Sequence, residues 1–548
     1  MSSHLKDEHD VEKASVQDVT FNNGVEATAD QSLHRGLKGR HVQMISIGGV
    51  IGTGLFLGTA NALRHGGPLG LLLGYLAVGS ICYSVMVCLG ELVSHLPVAG
   101  GHITLSRRFV SPAFSFAMGW NYWYNWTIVL PAELSAAAVL IGYWDKTTNP
   151  AVWITVCLVV ACAINFGGSR AYGEAEFWFA IIKVLTIVGL IILGIVIDAG
   201  GGPNGQYIGF KYWHNPGALV QYDGIGGTTG RFLGFFAVLI QASFSYIGTE
   251  IVAIAAGETQ DPRKTLPRAI KNVYIRILLF YILGVFITGL LVPNNDPRLN
   301  LGSGTAASAP FVIAIQDAGI KVLPSIINAA LLTSAWSAAS SDLYTSSRAL
   351  YGLAVNGQAP GFLKKTNRWG LPWVCVCVGV AFSLLSYMSA GATSAGTVFG
   401  YFANMTSVCG LITWAGIFVT YIQFRKGLKA QGIDRTLLPY RAPIGIVLAW
   451  YGLIFSLIIL FFNGFGVFIH IKSKGFDSST FVTSYFPLWF FPVLMLGYRL
   501  WRRDERGPAP ADMDFVSGSR DETGLEDPAH IPSPDDKSFG QKVLAYVL

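Results

Sequence analysis

Five ionisable residues lie within long apolar stretches of this chain: Glu91, Glu133, Lys183, Glu250 and Asp342. Away from water a lone charge costs several kcal/mol, so such residues are candidates for ion pairing, proton transfer or ligand contact. Lys183, in Phe179-Ala180-Ile181-Ile182-Lys183-Val184, is apolar on both sides and too deep to reach water easily. It is a candidate proton carrier; the alternative is a structural bond to a carbonyl freed at a helix break. Glu133 follows Pro131 within one turn and either lines a cavity or ties that kink together. Asp342 is expected at a cytosolic gate, paired with Arg348 or a loop arginine. Glu91, before Pro97, is expected to form a gate or a structural salt bridge.

Two glycine-broken segments share a core: Gly49-Val50-Ile51-Gly52-Thr53-Gly54 and Tyr246-Ile247-Gly248-Thr249-Glu250, with Gly52 and Gly248 196 residues apart. A helix broken inside a bilayer exposes N–H and C=O groups, which is tolerated only where they face a cavity or a ligand. The first break aims the N–H groups and positive dipole end of a half-helix at the bilayer centre, so a carboxylate is its natural guest. Gly49, Ile51, Gly52, Thr53 and Gly54 form that seat. The second break, from Phe244, Ser245 and Tyr246 to Gly248, Thr249 and Glu250, offers carbonyls to an ammonium group and aromatic walls to a side chain. Glu250 is placed to bond an amine, Lys183 or a freed N–H. A zwitterion fits the two breaks together.

The elements that position these residues follow from composition. Of 548 residues, 52% are hydrophobic and 13% charged, about half the charge of a soluble domain. Runs of about 20 apolar residues, enough to cross about 30 Å of hydrocarbon, occur near 43–63, 69–96, 113–141, 150–167, 176–198, 232–257, 273–292, 322–350, 373–390, 396–424, 445–469 and 483–501. Twelve transmembrane helices are expected. Lys and Arg concentrate before the first span and after the second, sixth, eighth, tenth and twelfth, which predicts cytosolic termini. The net charge of +6 is thus a topology signal and does not point to nucleic acid.

Breaks in spans one and six imply two repeats of five spans. An odd number inverts the second repeat, with the site at their interface. The expected organisation is a cytosolic tail (1–41), helices 1–5 (42–198), an extracellular loop (199–229), helices 6–10 (230–426), two additional helices (427–503) and a cytosolic tail (504–548). Both tails read as largely disordered, open to cytosolic regulators. No cleavable signal peptide is expected. The seven cysteines fall within spans and read as buried thiols, and the ten histidines form no metal-spaced cluster, so no metal, cofactor or enzymatic activity is expected. The aromatic run Trp120 to Trp126 must point to several faces, part packing and part facing a permeation path.

The motifs Gly48-Gly49-Val50-Ile51-Gly52-Thr53-Gly54-Leu55-Phe56, Phe244 to Glu258 running into Asp261-Pro262-Arg263-Lys264, and Ser341-Asp342-Leu343-Tyr344-Thr345-Ser346-Ser347-Arg348 together resemble the fungal amino acid permeases of the amino acid–polyamine–organocation superfamily. Within it the chain looks most like the dicarboxylic branch, through Gly201-Gly202-Pro203-Asn204, Asn295 to Leu299, Ala309 to Gln316 and Arg368-Trp369-Gly370. The resemblance implies proton-driven amino acid uptake across the plasma membrane, with the broken helices holding the substrate backbone and Lys183 carrying the proton. Acidic substrates are implied, yet spans one, three, six and ten carry no central Lys or Arg. A broad or neutral permease, and a transporter-like sensor, stay open.

Overall fold

A computed structural model of the chain describes residues 51–98, 100–251, 273–300, 309–367, 370–391, 394–469 and 475–517. All regular structure among them is helical. In chain order the helices are α1 (Gly54–His95), α2 (Gly101–Phe109), α3 (Pro112–Ile141), α4 (Pro150–Phe166), α5 (Gly168–Asp198), α6 (Gly227–Tyr246), α7 (Val273–Leu291), α8 (Pro310–Asp317), α9 (Leu323–Val355), α10 (Trp373–Ala390), α11 (Ala395–Ala430), α12 (Gly445–Ile469) and α13 (Ser478–Trp501). Eight of these are long and apolar enough to cross a membrane, or nine if the bent Trp213–Gly224 and Gly227–Tyr246 pair is one span.

Start signals are local. Pro112 and Pro150 occupy first turns, where their missing N–H costs nothing. Ser111 accepts from the Phe114 N–H at 3.2 Å and Asn149 from the Ala151 N–H at 2.9 Å, each satisfying a donor the helix leaves open. In α1 the helical path breaks at Gly67, which has φ +73°, and Pro68 follows. A Cβ on Gly67 would lie 2.6 Å from the Ala218 carbonyl oxygen, so only glycine fits this corner.

Packing sorts the helices into centre and rim. In α3 and α11, 94% of the most apolar window is buried, against 11% in α13. Helix α3 packs between α9 and α11, while α1 pairs with α6. The outer helices expose Trp178, Leu185, Ile192, Trp489 and Val493, an apolar surface that suits lipid and would be a liability in water. Of the cysteines, Cys377 is exposed and Cys162 half-buried rather than enclosed.

The chain beyond α13 is not the loose tail expected from 504 onward. Met513 and Phe515 are buried against α2 and α11, with Phe515 beside Phe109 and Phe424. The Gln431 side-chain amide donates to the carbonyls of Ala511 and Met513, and Arg108 to that of Ser517. Two aromatic contacts and a set of carbonyl acceptors thus strap 507–517 to the helix ends, which a charge-rich composition does not reveal.

Candidate functional site

The two glycine-broken segments meet. Ile51 and Gly52 are not helical, and α1 starts at Gly54 with no side-chain cap on its first N–H groups. Helix α6 ends at Tyr246: Ile247 turns extended (φ −62°, ψ 147°) and Gly248 adopts φ +92°, a conformation favouring glycine. A Cβ on Gly54 would sit 3.0 Å from both the Phe244 ring and the Ser245 Cα. Small residues at the first break therefore let the second approach. Helix α9 closes the far side, where the Ser334 hydroxyl donates to the Ile51 carbonyl at 3.3 Å.

Between the breaks lies a cavity of about 50 Å³ lined by Gly52, Gly54, Asn125, Trp126, Val129, Glu133, Phe244, Ser245, Ile247, Gly248, Ala338, Asp342 and Thr406. It has room for about four waters, at roughly 10–15 Å³ each, or for the backbone groups of a small zwitterion. Its wall holds buried polar atoms without a hydrogen-bond partner: Asn125 Oδ1, Glu133 Oε2, Asp342 Oδ2 and Thr406 Oγ1. Unpaired buried polar atoms are costly, and several converging on one cavity mark a place prepared for a polar guest.

Glu133 lines this cavity instead of tying the Pro131 kink, whose carbonyl takes the Ser135 hydroxyl at 2.8 Å. Its Oε1 accepts the Thr53 hydroxyl at 2.9 Å, with the Thr53 N–H also in reach. The hydroxyl expected to greet a substrate carboxylate is therefore already engaged by a resident one.

Lys183, fully buried on α5, faces Glu176 two turns earlier, Nζ to Oε1 3.5 Å. The other oxygen of Glu176 accepts from Ser337 at 2.5 Å and Ser341 at 3.3 Å, and Ser341 accepts from Tyr172 at 3.1 Å. Lys183 is not one of the residues lining the cavity, and its charge acts on both Glu133 and Asp342.

Asp342, a candidate for gate or cavity, stands in the cavity wall. Arg348, six residues on, instead lies over the Tyr344 ring at 3.2 Å and donates to the Tyr344 carbonyl. Six positions put the two on different faces of α9. Glu91 is the structural bridge the sequence allowed. Arg435 grips both its oxygens at 2.6 Å, and the Tyr421 hydroxyl (2.8 Å) and Ala442 N–H (2.9 Å) complete the set.

Other expected site residues lie behind the cavity. Tyr246 stacks on Tyr281 at 4.5 Å and donates to the Tyr75 carbonyl, so it is packing and not a pocket wall. Thr249 donates to the Tyr246 carbonyl at 2.6 Å, and Glu250 accepts from Trp414 Nε1 at 3.2 Å and from backbone N–H groups of the break. These two repair the broken helix end. Thr53 and Ile51 are buried beside the cavity without lining it, and Gly49 lies outside the described residues.

Sequence reasoning missed Val129, Ala338, Thr406 and Glu176, and it held Asn125 and Trp126 within the aromatic run and Ile247 within the second break without singling them out. Part of this was readable: Asn125, Val129 and Glu133 recur every four residues on one face of α3, as do Ala338 and Asp342 on α9. From the aromatic run, Trp126 reaches the cavity while Trp123 packs on Phe382 and Tyr124 on Phe490.

Residues 41–507 match the amino acid permease family. The dicarboxylic amino acid permease of Saccharomyces cerevisiae is 44% identical over 474 residues, 85% of this chain and 77% of that one. The proline-specific permease of Emericella nidulans is 42% identical over 491 residues, 88% of each chain. The lysine-specific permease of Saccharomyces cerevisiae is 42% identical over 496 residues, 90% of this chain and 80% of that one. These relatives are transporters rather than enzymes, and they differ in the side chain their names specify. With its bundle of apolar helices and a polar cavity between two helix breaks, this chain belongs to the amino acid permease family.

Proposed function

We propose that this protein is a proton-coupled symporter importing amino acids across the plasma membrane. The observation that carries the reading is the shared cavity: the uncapped start of α1 and the broken end of α6 face one small space with unpartnered polar atoms. The substrate carboxylate sits on the N–H groups at Gly52 and Gly54, and its ammonium faces the carbonyls about Phe244 to Gly248 and the free oxygen of Glu133. The side chain points toward Asn125, Trp126, Val129 and Thr406.

The fold reading is twelve spans with both termini cytosolic, arranged as an inverted 5+5 repeat with discontinuous helices 1 and 6 plus two more. It is supported by α1 itself. At about 1.5 Å per residue its 42 residues would run about twice the hydrocarbon thickness, so the Gly67–Pro68 corner separates two spans. Proton coupling runs through the buried charges around Lys183, with cytosolic regulators reading the tails beyond the strap.

For the side chain, the likeness to a dicarboxylic permease favours glutamate or aspartate, held by the Thr406 hydroxyl and the Trp126 indole. A broad or neutral range is favoured by a different observation, two carboxylates and, among the described residues, no Lys or Arg in the cavity wall. Uptake of radiolabelled amino acids in a permease-deficient host, with acidic, neutral, basic and aromatic competitors, decides between them. Uptake should rise as external pH falls, because the coupled proton is then more abundant. A properly targeted protein with no uptake of any amino acid overturns the reading in favour of a sensor.

A further inference from the structure

Four buried charges lie at or near the cavity, each at most 4% exposed: Glu133 on α3 and Asp342 on α9 line it, while Glu176 and Lys183 on α5 do not. Glu176 has the Lys183 ammonium 3.5 Å from one oxygen, an ion pair without a hydrogen bond, and two serine hydroxyls on the other. The ammonium of Lys183 is therefore matched. Glu133 and Asp342 both stand in the cavity wall, which no Lys or Arg lines among the described residues, each with an oxygen that accepts no hydrogen bond. Two like charges so placed cannot both persist in a low-dielectric interior; one meets a cation or holds a proton.

The surroundings separate their roles. Glu133 has the Thr53 hydroxyl, lies 3.4 Å from where a Cβ on Gly52 would be, and so stands at the break assigned to the substrate backbone. Asp342 Oδ2 has no donor, and Glu133 and Glu176 both act on it electrostatically alongside Lys183. On the neighbouring positions, Tyr172 of α5 donates to Ser341, and on α9 itself Arg348 stacks on Tyr344. None of these brings a cation to Oδ2.

We infer that Asp342 holds the co-transported proton, while Glu133 faces the substrate ammonium and Lys183 is the fixed counter-ion of Glu176. A proton from outside binds Asp342 Oδ2, the loaded cavity turns inward with that carboxyl neutral, and the same proton leaves to the cytosol; no covalent bond changes. The inference rests on the proton-coupled reading above and names the group within it.

The test uses the full chain in proteoliposomes, with radiolabelled L-glutamate, L-proline or L-lysine, whichever the wild type accumulates under an imposed pH gradient. One coupled proton supports about tenfold accumulation per pH unit. Asp342→Asn, a fixed stand-in for the protonated carboxyl, should still exchange labelled substrate across the bilayer, at a reduced rate, while its accumulation ratio falls to about one. Gradient-driven accumulation by Asp342→Asn overturns the inference and leaves proton coupling intact. A wild type that accumulates none of the three under the gradient, or takes up substrate without protons, overturns the coupled reading and the inference with it. If Asp342→Asn does not reach the bilayer, Asp342→Glu decides. Coupled uptake with a displaced pH profile supports the role, and an unchanged profile rejects it.

Discussion

Glu91 and Glu133 are buried carboxylates with opposite surroundings. Glu91 has its oxygens filled by an arginine fork, a tyrosine hydroxyl and a backbone N–H, so nothing is left to bind. Glu133 has the donors of Thr53 and keeps a free oxygen in a cavity, with Asp342 in the same wall. Identical chemistry thus serves as a clamp where it is saturated and as a receptor where it is left incomplete. Hydrogen-bond inventory, more than burial, separates the two.

The sharpest way to break this contrast is Glu91→Ala. It leaves the Arg435 guanidinium unpaired and should cost about 3 kcal/mol, seen as a lowered thermal transition in detergent, with KM of the surviving transporter unchanged. A shifted KM with full stability would make Glu91 a site residue. Next is Lys183→Met, which strands Glu176. Net accumulation and its pH dependence should disappear while substrate still binds, and wild-type, pH-dependent uptake would remove Lys183 from the coupling machinery. Gly52→Val should intrude on Glu133 and weaken substrate affinity by about tenfold, the low end of an overpacking cost of 1–3 kcal/mol; unchanged affinity would sink the proposed pose. The mildest pair compares hydroxyls. Thr406→Val removes an unpartnered group and should raise KM about fivefold with stability intact. Tyr421→Phe removes a donor to Glu91 and should lower stability by about 1 kcal/mol with KM unaltered.

Much of the frame was legible in the sequence because lipid imposes length and charge rules directly on the chain. The breaks were legible for a related reason: at Gly54 a Cβ would press on Phe244 and Ser245, and at Gly248 the backbone takes a left-handed turn that favours glycine. What lay beyond reach was which neighbour completes each group. Thr249 and Glu250 look like ligand contacts in one dimension, yet Tyr246 and Trp414 claim them in three. Asp342 read as a gate because Arg348 is close in sequence, and the turn of α9 parts them. Glu176 escaped notice because only the fold brings Ser337 and Ser341 to it.

The strap formed by residues 507–517 separates where the helix bundle ends in sequence from where it ends as a solid body. Trp501 is the last residue of α13, but Phe515 completes the aromatic group on Phe109 and Phe424. A fluorescent protein or affinity tag joined after Leu548 leaves that group closed. The same fusion made at Arg503 would strip a lid from two phenylalanines at the ends of α2 and α11, so protein engineers trimming this chain to its hydrophobic spans would be cutting into the folded body.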